Sequence, residues 1–319
     1  MLRTALGTSI AAWLDDPEIV EVMLNPDGRL WIDRLGAGLA DTGMTVPAAD
    51  GERIIRLVAH HVGTEVHARS PRVSAELPES GERFEGLLPP VVTAPAFAIR
   101  KPAVSVFTLD DYVAAGIISV GQCASLREAV TGRENILVAG GTGTGKTTLT
   151  NALLAEISGT SDRIVLIEDT RELQCPLPDT VALRTRTGTA SMTDLVRSTM
   201  RLRPDRIIVG EVRGPEALDM LKAWNTGHPG GIATVHANSA LAALYRIEQL
   251  VQEAVVTVPR RLIAEAVDII VFIAGRGSTR RVETIARVAG LDPDGGYGLV
   301  DITPTPPPTE NDHDRSLVS

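Results

Sequence analysis

An α/β fold built on a parallel-rich central sheet, preceded by a smaller α+β region, is the architecture this sequence predicts. Three observations carry that expectation. Beyond residue 121, short apolar runs alternate with helically patterned segments, as a parallel sheet covered by helices requires. One of these runs, Asn135-Ile136-Leu137-Val138-Ala139, opens directly into a glycine-rich loop followed by a helical pattern. Ahead of residue 104 the pattern changes: short strand candidates meet around tight-turn residues, as hairpins do.

Taken in order, residues 1–14 read as an amphipathic helix. Asp15-Asp16-Pro17 follows with no cleavage-like site, so no export signal is expected there. Residues 20–24 and 29–33 pair as strand candidates about Asn25-Pro26-Asp27-Gly28. Residues 50–62 place Ile54, Leu57, Val58 and Val62 on one helical face. The hairpin pattern repeats with 73–77 and 83–87 about Pro78-Glu79-Ser80-Gly81. A last strand, 96–100, stops at Arg100-Lys101-Pro102 because proline cannot continue the ladder. These elements make up an expected α+β domain over residues 1–103, and 104–120, lacking clean periodicity, read as a connector. The α/β domain is expected over 121–300, with strands at 136–139, 164–167, 181–184, 207–209, 232–235 and 269–273. Ser191 with Asp194 has the spacing of a capping box for a helix running to Leu202. Ser239 caps a longer helix with Leu244, Ile247, Val251 and Ala254 inward. Residues 280–299 read as a terminal hairpin or two, and the proline-rich, polar stretch 301–319 as a disordered tail.

The 319 residues carry 31 Lys and Arg against 40 Asp and Glu, a net charge of −9, with only 3% aromatics. Nucleic-acid surfaces need a basic stripe and stacking rings, so direct sequence-specific nucleic-acid binding is not expected. Cys123 and Cys175 stand alone, without the spacing of a zinc site or a disulfide framework, and fit a reducing cytoplasm. The most apolar late segment, 269–274, is flanked by Asp268 and Arg276 and is too short to span a bilayer.

Gly140-Gly141-Thr142-Gly143-Thr144-Gly145-Lys146-Thr147 matches G-x-x-x-x-G-K-[ST] in the strand–loop–helix context that the motif needs. The glycines let successive N–H groups point inward at phosphate oxygens, and the helix start adds unpaired donors and partial positive charge. Lys146 is expected to reach the β- and γ-phosphates and the Thr147 hydroxyl to ligate Mg²⁺, with Thr148 beside it in the contact set. A nucleoside triphosphate with Mg²⁺ is the ligand these residues imply.

Further acids lie downstream. Arg206-Ile207-Ile208-Val209-Gly210-Glu211 is an apolar strand ending in an acid, the form of a Walker B segment. Glu211 would hold Mg²⁺ through water or orient the attacking water. Ile164-Val165-Leu166-Ile167-Glu168-Asp169 has the same build, and its paired acids Glu168 and Asp169 suit a metal-shell or base role. Gly227-His228 and His236-Ala237-Asn238 bracket another short strand. No Cys or carboxylate beside them suggests a metal, and His236 suits a γ-phosphate sensor or a subunit contact. Arg83, Arg100, Lys101, Arg184, Arg186, Arg201, Arg203 and Arg213 fall near element ends, where a cation would meet the charge on a transferring phosphoryl group.

In their order and spacing these clusters resemble the secretion ATPases of type IV secretion and conjugation, relatives of the type II secretion and pilus-retraction motors. The phosphate loop is followed by an Asp box at 167–173, a Walker B segment at 202–214 and a His box from Gly227 to Asn238. Gly81-Glu82-Arg83-Phe84, Leu88-Pro89-Pro90 and Ile99-Arg100-Lys101-Pro102 are also similar to that family, so the resemblance covers roughly residues 10–300. It implies a RecA-like P-loop NTPase domain that hydrolyses ATP with Mg²⁺. It further implies a homohexameric ring, peripheral at the cytoplasmic face of the inner membrane, partnered by other secretion-machine components including inner-membrane proteins. Hydrolysis would swing the N-terminal domains against the motor domains. Residue by residue, the resemblance implies phosphate and Mg²⁺ binding by Lys146 and Thr147, water activation by Glu211 and a metal-shell role for Glu168. His228 and His236 would read nucleotide state, and Arg100 and Arg83 would reach nucleotide from the N-terminal domain. The tetracysteine zinc loop of some type II relatives is absent. A RecA-like nucleic-acid motor would need a basic lumen, which the acidic charge does not favour. A nucleotide-dependent docking scaffold with negligible turnover is opposed by the intact acids.

Overall fold

The structure, a computed structural model, describes residues 2–35, 37–77, 81–102, 107–186 and 188–303. The chain divides into two compact units, Met1–Val106 with Thr170–Glu172, and Phe107–Asp169 with Leu173–Ser319. The turn expected at Pro78-Glu79-Ser80, the start of the connector and the tail from residue 304 lie outside the described residues.

The first unit begins with α1 (Leu2–Leu6) and α2 (Thr8–Asp15), separated by Gly7 at φ 86°, which breaks the single helix expected from the sequence. Then follow β1 (Ile19–Leu24), β2 (Arg29–Arg34), β3 (Gly38–Thr45), α3 (Ala48–His61), β4 (Arg72–Glu76), β5 (Arg83–Leu87) and β6 (Ala96–Arg100). Six antiparallel strands form one sheet in the order β3-β2-β1-β6-β5-β4. Val22 and Leu24 of β1, Phe84 of β5 and Ile99 of β6 bury against Ile54, Ile55, Val58 and Ala59 of α3. The buried face of α3 is rotated from the expected one, leaving Leu57 40% exposed. Arg100 stands in register with Arg83 on one side and Glu21 on the other. Burial pushes the Glu21 carboxyl upward while Arg100 works against the shift. Arg83 Nη1 donates to Glu172, which clusters with this unit, at 2.7 Å.

In the second unit, α4 (Leu109–Ala114) and α5 (Val120–Thr131) lead into β7 (Ile136–Gly140), α6 (Lys146–Ala155), β8 (Ile164–Glu168) and β9 (Thr180–Arg184). Next come α7 (Met192–Thr199), β10 (Arg206–Val209), α8 (Glu216–Asn225), β11 (Ile232–His236), α9 (Ala240–Gln252) and α10 (Arg260–Ala266). The unit closes with β12 (Ile269–Ala274), β13 (Arg281–Leu291) and β14 (Tyr297–Asp301). The sheet order is β14-β13-β12-β7-β11-β10-β8-β9, parallel from β12 to β9, with β13 and β14 added as an antiparallel edge. Side chains alternate across it with the period of two that strands impose. Leu137, Ala139, Val165 and Ile167 pack with Leu221, Leu244 and Ile247. Their neighbours Ile136, Val138, Ile164 and Leu166 pack on the other face with Leu126, Leu149 and Leu153.

Four expectations are corrected here. Residues 109–114, read as part of the connector, form α4, opened by a Thr108–Asp111 capping box and burying Leu109 and Tyr112. Helix α7 carries the expected Ser191–Asp194 box but stops at Thr199, ahead of Arg203 at φ 54°. Ala254, expected on the inner face of the helix that Ser239 caps, lies exposed beyond its end. Strand β14 extends to Asp301, one residue into the expected tail.

Candidate functional site

Parallel strands leave the sheet at one edge, so the residues that follow β7, β8, β10 and β11 emerge together. Gly140 ends β7 where a Cβ would stand 2.5 Å from the Ile273 carbonyl oxygen and 2.6 Å from Thr144 Oγ1, a contact only glycine permits. The loop then turns through Gly145, at φ 94° and ψ 28°, into α6. Gly145 has no side chain with which to cap the start of α6. Thr144 Oγ1 donates to the Gly141 carbonyl at 3.0 Å, holding the loop's curl. Thr147 and Thr148 lie half-buried in the first turn of α6.

Lys146 is buried, and its Nζ donates to the Gly141 carbonyl at 3.0 Å and lies 3.2 Å from His236 Nδ1. On the far side of that ring, Nε2 stands 2.7 Å from Glu211 Oε1, outside hydrogen-bond alignment. Glu211 Oε2 accepts from Arg213 Nη2 at 2.5 Å. Arg213 Nη1 reaches to 3.5 Å from Asp169 Oδ2, and Asp169 Oδ1 accepts from the Thr185 hydroxyl at 2.8 Å. Burial first, and the Lys146 ammonium second, lower the His236 pKa, with Glu211 opposing them. A neutral ring whose Nδ1 faces an ammonium accepts there, which puts its proton on Nε2, toward Glu211. A continuous polar line therefore runs Lys146–His236–Glu211–Arg213–Asp169.

Glu168 is buried at the end of β8, and its Oε1 accepts from the Leu173 N–H at 2.7 Å. Asn151 of α6 accepts from the Gln174 N–H at 2.9 Å and so ties this loop to the phosphate-loop helix. His228 is not brought to this edge. It precedes β11, with Nδ1 2.9 Å from the Pro204 carbonyl ahead of β10, so it sits where the strands start. The whole of β11 separates it from His236, as the positions on either side of that strand implied, so of the two histidines expected to read nucleotide state only His236 stands beside Lys146. Arg83 and Arg100 belong to the first unit.

Arg213 is the residue that the sequence reading left undistinguished among many arginines. A signal was available: in an extended segment, positions 211 and 213 point the same way. Among the described residues no three His, Cys, Asp or Glu side chains converge as a metal site. With Glu211 and Asp169 already committed to cations, the donors fit a hydrated Mg²⁺ carried on phosphate oxygens and the Thr147 hydroxyl rather than an all-protein cage.

Residues 55–276 match the family described as type II/IV secretion system protein. The chain is 50% identical over 291 residues to the conjugal transfer protein TrbB of Rhizobium radiobacter, covering 91% of this chain and 90% of the relative. It is 34% identical over 318 residues to the type IV secretion system protein PtlH of Bordetella pertussis, covering 88% of this chain and 93% of that one. Among solved structures, the pilus retraction motor PilT with bound ADP matches at a TM-score of 0.60 and 19% identity, covering 93% of this chain and 83% of that chain. That likeness is one of fold, and the RecA-like P-loop NTPase architecture expected from the sequence is the one observed. With residues 55–276 matched by the family and 50% identity over 291 residues to one relative, this chain belongs to the type II/IV secretion system protein family.

Proposed function

We propose that this chain hydrolyses ATP at the phosphate loop and turns that hydrolysis into work for conjugative, type IV secretion-like transfer, in pilus assembly or substrate export. The observation that carries the reading is the line Lys146–His236–Glu211, which joins a phosphate-binding ammonium to an acid suited to handling water. The relatives named as conjugal transfer and type IV secretion proteins support the direction of that work.

Residues 140–148 would cradle the phosphates with their N–H groups, and Lys146 would take the β- and γ-oxygens. Bound Mg²⁺ would neutralise phosphate charge, held by Thr147 with Glu168, Asp169 and Glu211 contributing through water. Glu211 orients the attacking water and accepts its proton, and Arg213 keeps the carboxylate aimed. A γ-phosphate competes for the Lys146 protons that His236 now shares, so His236 reports whether the site is filled. Arg100, with Arg83, would contact nucleotide from a domain over 1–103, joined to a motor domain over 121–300 by a 104–120 connector that includes α4. We further assign a homohexamer, cytoplasmic and peripheral at the inner membrane among the other transfer components. No helix among the described residues is long and apolar enough to cross a membrane.

Phosphate release by the purified chain, with and without DNA, tests the chemistry, and electron microscopy with ATP and Mg²⁺ tests the ring. Lys146→Ala should abolish hydrolysis while far-ultraviolet circular dichroism stays native. Turnover near the wild-type rate in that variant would move the site elsewhere. DNA-dependent turnover would instead favour a nucleic-acid motor.

A further inference from the structure

The loop after β12 carries two arginines to the phosphate loop from the side opposite Glu211. Strand β7 lies between β11 and β12, and Gly140 is in register with His236 on one side and Ile273 on the other. The acid and histidine therefore flank the loop on the β11 side, and residues 275–280 flank it on the β12 side. That second flank is a fixed turn. Gly275, at φ 75°, packs so closely that a Cβ would stand 2.1 Å from the Thr279 carbonyl oxygen. The Arg276 N–H donates to Thr279 Oγ1 at 3.1 Å, and that hydroxyl donates to the Arg276 carbonyl at 2.9 Å.

The turn sets both guanidiniums against the phosphate loop. A Cβ built on Gly143 would lie 3.5 Å from Arg276 Nε, and one built on Gly145 would lie 3.0 Å from Arg280 Nε and 3.3 Å from its Nη1. Arg276 is exposed, whereas Arg280 Nε is shut off from solvent with no hydrogen-bond partner among the described residues. Neither guanidinium has an ion-pair partner among those residues, unlike Arg127 with Asp110 and Glu156, Arg260 with Glu248 or Arg287 with Glu134. Two unpaired cations thus stand beside the start of α6 and Lys146, in a protein of net charge −9. Positive groups gathered this way repel one another, and an anion lying between them relieves that cost.

We infer that Arg276 and Arg280 grip the α- and β-phosphates of the bound nucleotide and act as positioning residues that set nucleotide affinity. The inference rests on the nucleotide-binding reading above. Glu211 and His236 mark the γ-phosphate end on the β11 flank, so the diphosphate and nucleoside run toward β12 and its two guanidiniums. The planar fork of arginine matches phosphate oxygens in pairs, which an ammonium cannot do. ADP offers the same two phosphates as ATP, so both ligands depend on the pair.

Calorimetric titration of the full chain with ADP and with a non-hydrolysable ATP analogue, alongside steady-state hydrolysis, tests this. Arg276→Gln and Arg280→Gln should each weaken both dissociation constants by about tenfold or more, the scale of a lost charged hydrogen bond. KM for ATP should rise with them, and the loss should fall on KM more than on kcat. Arg280→Lys, which keeps the charge without the fork, should fall between wild type and Arg280→Gln. Arg276 is exposed, so its variant keeps the test open if Arg280→Gln does not fold. Unchanged dissociation constants in the folded variants overturn the inference. A loss confined to the ATP analogue, with kcat reduced, puts the pair at the γ end and overturns it too. Wild-type protein that binds neither nucleotide defeats the nucleotide-binding reading itself and this inference with it.

Discussion

Replacing Asn135 by alanine asks how firmly the strand that carries the phosphate loop is anchored. The Asn135 side chain is buried just ahead of β7. Its Oδ1 accepts from the Gly231 N–H at 2.9 Å, and its Nδ2 donates to the Ala266 carbonyl at 2.9 Å. One amide thus satisfies the N–H that precedes β11 and the carbonyl that ends α10. Alanine removes both partners and leaves two buried polar groups unmade, each costing about 1–3 kcal/mol. We expect a loss of about 3 kcal/mol, and a fall in Tm of about 10 °C for a unit of this size. Urea unfolding followed by far-ultraviolet circular dichroism should show a lower midpoint with the slope unchanged. Asn135→Asp is the comparator, because it keeps the acceptor, loses the donor and adds a carboxylate close to Asp268. Asp268 Oδ2 already accepts from the Asn135 N–H at 2.7 Å, and burial holds its own carboxyl above the usual range. At pH 8 this variant should be as damaged as alanine. As the pH falls the new carboxyl takes a proton, donates again to Ala266 and regains stability. A loss below about 1 kcal/mol for Asn135→Ala would refute the reasoning, because water would then be replacing the amide.

Three further outcomes follow from the proposed function. Glu211→Gln is nearly isosteric but accepts no proton, so ATP should bind and persist; failure to bind ATP would mean that Glu211 mainly holds the metal. His236 has its pKa lowered in the fold, so unfolded chains bind a proton that native ones refuse. Stability should be full above the unfolded value of 6.5 and fall as the pH drops through it toward the lower folded value. His236→Gln should flatten that part of a melting series run from pH 8 to 5, and an unaltered slope would count against it. Arg100→Ala should slow hydrolysis yet leave stability within about 0.5 kcal/mol, since the side chain is exposed. Normal turnover in that variant would make Arg100 a surface charge.

Five of the six parallel strands were legible because each is a short apolar run that burial on both faces explains, whereas β9, at the sheet edge, is only partly buried. Strand β3 was not, since GLADTGMT lies at a sheet edge and is largely exposed, so nothing in its composition announces pairing. Helix α4 escaped for a different reason: six residues make too few turns to show a period, and its Thr108–Asp111 box was the readable sign. At the site, the phosphate loop was readable as a motif, and Glu168, Asp169 and Glu211 as acids that follow apolar strands. His228 was carried over from the resemblance, although its position ahead of β11 sets it at the other end of that strand from His236. Arg276 and Arg280 follow no motif, and only the sheet order brings them beside Gly143 and Gly145.

The order of strands also sets a timetable for a chain emerging from the ribosome. Strand β7 takes its neighbours from far downstream: Asn135 contacts Gly231 across 96 positions and Asp268 across 133. Until β11 and β12 have been synthesised, the phosphate loop hangs from a strand with both edges bare, and such distant pairing is slow to close. The first unit's sheet needs nothing beyond Arg100. A chain arrested before residue 269 should therefore present a protease-resistant first sheet while the loop remains open to cleavage. Competence to bind nucleotide would arrive only once β12 has emerged and closed the second edge of β7, so a chain arrested earlier should be unable to seize ATP.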